Sequence, residues 1–184
     1  AGLAFAAAYF LRLQSEYENI APFSDYWGMM LIHVITVIVV FFFYGLAFFV
    51  MGLALWLASR RTSELRFARA IIPLAAFGIL HGIHEWIEMF QKIATLTGGY
   101  TPTVPQEAVR LAVLVVSFLM LLAFGLLLLS PEPIGRRRVL IPILGMVGLW
   151  ALSVLLVARV LGSPLDETLA MADALARYSL AVPA

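Results

Sequence analysis

Long apolar segments, separated by short polar ones, set the pattern of the chain. A helix needs about 20 apolar residues to cross the hydrocarbon core of a bilayer. Four segments meet that length, and each is followed by polar, Gly, Pro or Arg residues that end it. The pattern predicts an all-α, polytopic membrane helix bundle with complete spans at about 27–58, 70–92, 106–129 and 139–161.

Two shorter segments flank the spans. Residues 1–13 are apolar but too short to cross a bilayer, so they predict either part of a fifth span or a helix at the interface. In residues 163–180, apolar positions recur at helical spacing with Asp173 and Arg177 between them. This predicts an amphipathic helix on the outer surface or a helix packed on the ends of the bundle. We therefore treat residues 1–184 as a single transmembrane domain.

Composition supports the membrane assignment and excludes several functions. The chain is 63% hydrophobic and 12% charged, whereas soluble domains carry about 25% charged residues. It has no cysteine, which excludes thiolate metal ligands, disulfides and cysteine nucleophiles. It has no phosphate-binding glycine loop and no nucleophile motif. We therefore expect neither an enzyme nor a nucleic-acid-binding protein.

Arginines predict the orientation of the chain. Most of its 12 Lys and Arg residues lie in two segments, 59–69 and 130–138, on the same side of the four-span arrangement. Cytoplasmic loops carry an excess of Lys and Arg, so these two segments are predicted to be cytoplasmic. The arginines concerned are Arg60, Arg61, Arg66, Arg69, Arg136, Arg137 and Arg138.

An ionisable stripe interrupts the second span. His81, His84, Glu85 and Glu88 fall at i, i+3, i+4 and i+7, which is one face of a helix. Ionisable side chains are costly inside a membrane and usually mark a functional site. With the span ending at Lys92, the rise of a helix places His84 about 11 Å below the outer end.

Two residues on other spans are predicted to join this stripe. His33 lies about 9 Å below the outer surface on the first span, which is close to the depth expected for His84. Arg159 lies near the outer end of the fourth span and is a candidate partner for Glu88 or Glu85. The cluster is therefore predicted to be assembled from several helices in the outer leaflet.

The residue types leave several kinds of site open. A metal site would use His33, His81, His84 and Glu85, with Zn, Cu or Fe as the ions that suit imidazole and carboxylate. A haem would need His33 with His81 or His84, because two histidines three residues apart cannot bind opposite faces of one haem. A third interpretation is a hydrogen-bond network that responds to a proton or ligand. The fourth is structural, since buried polar groups also hold membrane helices together.

Two glycines on the same span predict how it packs. Gly78 and Gly82 form a small-xxx-small pair on either side of His81. Small residues at this spacing let a second membrane helix approach closely. We therefore expect the helix that carries the stripe to be packed inside the bundle.

Several motifs resemble the N-terminal membrane region of a group of bacterial sensor histidine kinases. The most specific is His81-Gly82-Ile83-His84-Glu85-Trp86, and the similarity extends over most of residues 28–183. The resemblance implies a multi-pass protein of the bacterial inner membrane, further membrane helices and cytoplasmic signalling domains as partners. It implies no kinase activity for this chain. Weaker matches occur at 49–54, 59–61, 65–70, 76–80, 117–118, 123–125 and 173–183.

These observations predict a membrane-embedded sensory module that forms homo-oligomers in the bilayer. The cluster of His33, His81, His84, Glu85 and Glu88 would detect a metal, a proton, a redox change or a small apolar molecule. One alternative is a metal- or haem-binding subunit of a redox complex. Another is a structural membrane subunit without a site.

Overall fold

A computed structural model of the chain describes residues 25–60, 65–129 and 136–183. Within these ranges the chain is helical and contains no strand. The predicted N-terminal segment, 1–13, lies outside the described residues. The helices are α1 (Asp25–Ser59), α2 (Leu65–Gly98), α3 (Val104–Leu129), α4 (Arg136–Leu161) and α5 (Leu165–Ala176), and a π-helical turn (Arg177–Ala181) continues α5.

The first four helices are long and apolar enough to cross a membrane. This confirms the prediction of an all-α bundle with four spans and fits a multi-pass membrane protein. α2 is the central helix. Half of the residues in its most apolar segment are buried, whereas none of those in the most apolar segment of α4 are. Parts of both arginine-rich segments, 61–64 and 130–135, lie outside the described residues, and the orientation stays a prediction.

α2 continues beyond the predicted end of its span. Lys92 lies inside the helix, where its ammonium group is 3.1 Å from the Glu88 carboxylate and 4.4 Å from the centre of the Phe41 ring. These contacts accommodate the charge, so the helix extends to Gly98 and ends where Gly99 takes a left-handed backbone conformation, with φ +61°. His84 is consequently about 21 Å from the helix end along the axis, rather than about 11 Å.

Glycines on both helices bring α1 and α2 into backbone contact. A Cβ on Gly52 would lie 2.6 Å from the carbonyl oxygen of Ala75, and a Cβ on Gly82 would lie 2.6 Å from that of Gly45. No side chain fits at such distances. The close approach predicted from Gly78 and Gly82 is therefore confirmed, and it fixes the register of the two helices.

α5 packs one face into the bundle. Ala172, Asp173 and Ala176 are buried, and Leu180 in the following turn joins the core. The small alanines let the α5 backbone lie close to its neighbours, so this face does not lie on a membrane surface as an outer amphipathic helix would. The core that they enter consists of Phe77, Leu111, Leu114, Val115, Phe118, Ala172, Ala176 and Leu180.

A tryptophan ties α4 to α5. The indole N–H of Trp150 donates a hydrogen bond of 3.1 Å to the carbonyl oxygen of Ala172. We expect Trp150→Phe, which keeps an aromatic ring, to lower the free energy of unfolding by about 1 kcal/mol, as for one interhelical hydrogen bond. Unfolding in mixed SDS micelles followed by circular dichroism measures this. Trp56→Phe, on the exposed end of α1, is the matched control, and an equal loss there would contradict the assignment.

Candidate functional site

Ionisable side chains from α2, α3 and α5 meet in one place between the helices. α2 supplies the predicted stripe, α3 adds a carboxylate and an arginine, and α5 with its following π-helical turn adds another carboxylate and arginine. We call this group the charge cluster. Its members are His81, His84, Glu85, Glu88, Lys92, Glu107, Arg110, Asp173 and Arg177.

Arg110 joins the three helices. Its side chain is 13% exposed, and one terminal nitrogen lies 2.8 Å from Asp173 Oδ2 and 3.6 Å from Glu88 Oε2. Its Nε and other terminal nitrogen donate hydrogen bonds of 3.0 and 2.8 Å to Glu107 Oε2. The planar guanidinium thus contacts a carboxylate on each side, a geometry that a lysine would not reproduce.

Arg177 makes a second connection between α5 and α2. Its Nε donates to Asp173 Oδ1 at 2.7 Å, and a terminal nitrogen donates to Glu88 Oε2 at 3.2 Å. Asp173 therefore has one oxygen on each arginine, since Arg110 takes the other. These contacts hold the C-terminal end of α5 against the middle of α2.

Glu88 is the central carboxylate of the cluster. Its Oε1 lies 3.1 Å from Lys92, and its Oε2 is shared between Arg110 and Arg177. The Nε2 atom of His84 lies 3.5 Å from the same Oε2. Any ion or proton that binds Glu88 must therefore compete with the cations that hold α5.

The two histidines are buried one turn apart. His84 is 0% exposed, and His81 is 5% exposed. His81 lies among aromatic rings, with Phe48 and Phe77 at centroid distances of 4.8 and 5.2 Å. Its Nδ1 is 3.4 Å from the hydroxyl of Ser117, and its Nε2 is 3.6 Å from Glu85 Oε1. Aromatic packing on one side and polar contacts on the other fix the His81 ring.

The structure brings together four of the predicted site residues. His81, His84, Glu85 and Glu88 line one face of α2, as the helical spacing predicted, and ligand atoms of the last three all lie within 4.8 Å of one another. This group, which could hold a metal ion, differs from the predicted set of His33, His81, His84 and Glu85, because it lacks His33 and His81 and includes Glu88.

His33 lies elsewhere along the bundle. Its Nδ1 is 2.9 Å from the carbonyl oxygen of Met29 in the preceding turn of α1. The α1–α2 register places Gly45 beside Gly82, so His33 lies about 15 Å along the helix axis from the level of His84 and about 20 Å from that of His81. The similar depth predicted for His33 and His84 is therefore wrong, because the glycine contacts set a register that hydropathy does not specify.

Arg159 is exposed at the end of α4. The cations that pair with Glu88 among the described residues are instead Lys92, Arg110 and Arg177. Two features of the sequence would have predicted that Arg110 and Arg177 belong to the cluster. Arg110 is an ionisable residue within a predicted span, and Asp173 and Arg177 are opposite charges at i, i+4 on an otherwise apolar face.

A cavity of about 600 Å³ reaches the charge cluster. Phe41 and Tyr44 of α1 form an aromatic wall, and Glu85, Glu88 and Arg177 form part of the polar wall. The cavity gives the carboxylates of the cluster room for water or a small ligand.

Comparisons of the chain with models of protein families, with curated proteins and with solved structures found no match. The resemblance to sensor-kinase membrane regions therefore stays an expectation. What the fold defines is a class, a polytopic α-helical membrane protein with a partly buried charge cluster.

Proposed function

We propose that the chain is a membrane-embedded sensory module of a bacterial signalling receptor, with the charge cluster as its input site. The observation that carries the proposal is the pair of connections from α5 to α2 and α3, through Asp173 and Arg177. A signal that changes the charge or occupancy of the cluster would change how α5 is held. Such signals include a metal, a proton, a redox change or a small apolar molecule.

The sharing of Glu88 gives the proposal a physical mechanism. Arg110 and Arg177 both contact Glu88 Oε2, and Arg177 is the more exposed of the two, at 41% against 13%. A ligand that takes this oxygen would release Arg177 before it disturbs Arg110. Local changes in charge that bias an element with two arrangements are the usual basis of such switches.

The apolar surroundings favour a switch over a continuous adjustment. Unpaired ionisable groups are costly in a low-dielectric environment, so we expect Arg177 to retain its remaining partner once it loses Glu88. That partner is Asp173, which Arg177 contacts at 2.7 Å. The proposed active arrangement keeps the Asp173–Arg177 pair on α5 and separates it from α2.

A distance measurement tests this coupling. The chain has no cysteine, so two introduced cysteines, Leu96→Cys on α2 and Val182→Cys after α5, carry the only spin labels. In lipid nanodiscs, we expect Glu88→Gln to shift the distance between the labels by about 2 Å, the size of helix shifts in known switches. Pulsed electron spin resonance measures the shift.

The control is Glu167→Gln, which removes a carboxylate from the exposed first turn of α5. We expect its distance distribution to equal that of the parent protein. If Glu88→Gln also leaves the distribution unchanged, the charge cluster is a structural connection between helices and the sensory proposal fails.

The alternative of a redox subunit has one specific observation in its favour, the metal-ligating group on α2. A haem held by two histidines is disfavoured, because His33 lies far from His81 and His84 along the bundle. A Soret band in the purified protein would support the haem form of this alternative.

A further inference from the structure

The Nε2 atom of His84 has no hydrogen-bond partner among the described residues, although it is buried. The other ring nitrogen, Nδ1, lies 3.3 Å from the carbonyl oxygen of Arg110. A carbonyl only accepts hydrogen bonds, so Nδ1 carries the hydrogen and the neutral ring has its lone pair on Nε2. That lone pair points toward Glu88 Oε2 at 3.5 Å, which is also an acceptor.

His81 shows the same arrangement one turn away. The Ser117 hydroxyl donates to the carbonyl oxygen of Leu114 at 2.7 Å, so its oxygen is left to accept from Nδ1 of His81. The lone pair of the neutral His81 ring is then on Nε2, which faces Glu85 Oε1 at 3.6 Å. Two imidazole lone pairs thus face two carboxylates, and each such pair is repulsive unless a positive species lies between the atoms.

Charge counting leads to the same requirement. The carboxylates of the charge cluster exceed its lysine and arginine side chains by one, and the only ion-pair partner of Glu85 among the described residues is His81. A buried excess of negative charge is costly. The carboxylates are Glu85, Glu88, Glu107 and Asp173, and the cations are Lys92, Arg110 and Arg177.

We infer that His84 Nε2 and the carboxylates of Glu85 and Glu88 bind a divalent transition metal ion. The three ligand atoms lie within 4.8 Å of one another. Metal–ligand bonds of about 2.0–2.2 Å at tetrahedral angles would put the ligand atoms about 3.4 Å apart, so side-chain rotation must bring the most distant pair closer by up to about 1.4 Å.

The donor set indicates the class of ion. Imidazole nitrogen with carboxylate oxygen suits Zn²⁺ or Fe²⁺, whereas Mg²⁺ and Ca²⁺ prefer oxygen alone. The hydrogen bond from Nδ1 of His84 to a backbone carbonyl is the outer-shell contact that metal-binding histidines usually make. The cavity beside Glu85 and Glu88 leaves room for water to complete the coordination.

The metal ion would be the signal that the proposed sensory module detects. Metal binding itself does not depend on the proposed function; only the response of α5 rests on it. A metal on Glu88 would compete with Arg177 for Oε2 and so release α5 from α2. Binding and response are separate measurements, so each can fail without the other.

Binding is tested with Zn²⁺ and Co²⁺ on the full chain in nanodiscs. We expect about one Zn²⁺ per chain by calorimetry, and a Co²⁺ complex whose visible absorption is lost on adding Zn²⁺. His84→Asn is the informative variant, because its amide N–H replaces Nδ1 toward the Arg110 carbonyl while Nε2 is removed. Mutation of an outer-shell partner weakens metal binding by up to about 100-fold. Loss of a direct ligand should weaken Zn²⁺ binding by at least that factor.

His33→Asn is the matched control and should bind Zn²⁺ like the parent chain. If His84→Asn does not fold, Glu85→Gln replaces it with the same expectation. Binding that is absent from the parent chain, or unchanged in these variants, would overturn the inference and leave a proton as the species that balances the cluster. Zn²⁺ binding without a change in the Leu96→Cys to Val182→Cys distance would support the metal site and contradict the sensory proposal.

Discussion

Replacing Arg110 with methionine is expected to destabilise the protein more than any other single charge removal. Methionine fills a similar volume but leaves Glu88, Glu107 and Asp173 without a shared cation. Breaking a buried ion pair by removing one partner costs about 3–5 kcal/mol, because the remaining charge stays buried. Unfolding in mixed SDS micelles should show a loss of this size.

Two further variants identify the cause of that loss. Arg159→Met removes an exposed cation from α4 and should change the free energy of unfolding by less than about 0.5 kcal/mol. Combining Arg110→Met with Asp173→Asn removes a charge of each sign and should recover part of the stability. If the double variant is as unstable as the sum of the single ones, Arg110 acts through packing and not through its charge.

The second large effect is expected at the α1–α2 contact. In Gly52→Val, the Cβ would lie 2.6 Å from both the carbonyl oxygen of Ala75 and the backbone nitrogen of Ile79. Both contacts are backbone atoms, which cannot rotate away, so the helices must separate. We expect a loss of at least about 3 kcal/mol, the upper end of the usual cost of overpacking.

Gly148→Val is the matched control, because nothing lies within 4 Å of a Cβ at that position in α4. Its free energy of unfolding should stay within about 1 kcal/mol of the parent value, since both variants make the same change in helix propensity. Equal losses for the two variants would mean that the close contact of α1 with α2 does not stabilise the protein.

Much of the fold follows from local properties of the sequence. The four predicted spans lie within the observed helices because hydropathy and length act residue by residue. Pro105 marks the start of α3 for the same reason, since proline is well tolerated in the first turn of a helix. The extension of α2 beyond Lys92 was not predicted, because it depends on a contact with Phe41 of another helix.

The candidate site also has a part that the sequence predicts and a part that depends on the packing of the helices. The shared face of His81, His84, Glu85 and Glu88 follows from the helical period alone. The partners of that face do not, because a pairing between helices depends on their rotation and relative shift. Hydropathy predicted that His33 and Arg159 lie near the ionisable face of α2. In the folded chain, Arg110 and Arg177 lie against that face instead.

Composition and helical period within single segments are enough to predict a membrane helix bundle and the ionisable stripe on one of its helices. The contacts of that stripe depend on how the helices pack. The glycine contacts of α1 with α2 fix one register, and the small buried face of α5 brings Asp173 and Arg177 to Glu88 and Arg110. These contacts join residues far apart in the chain, and their energies depend on distances that no single segment specifies.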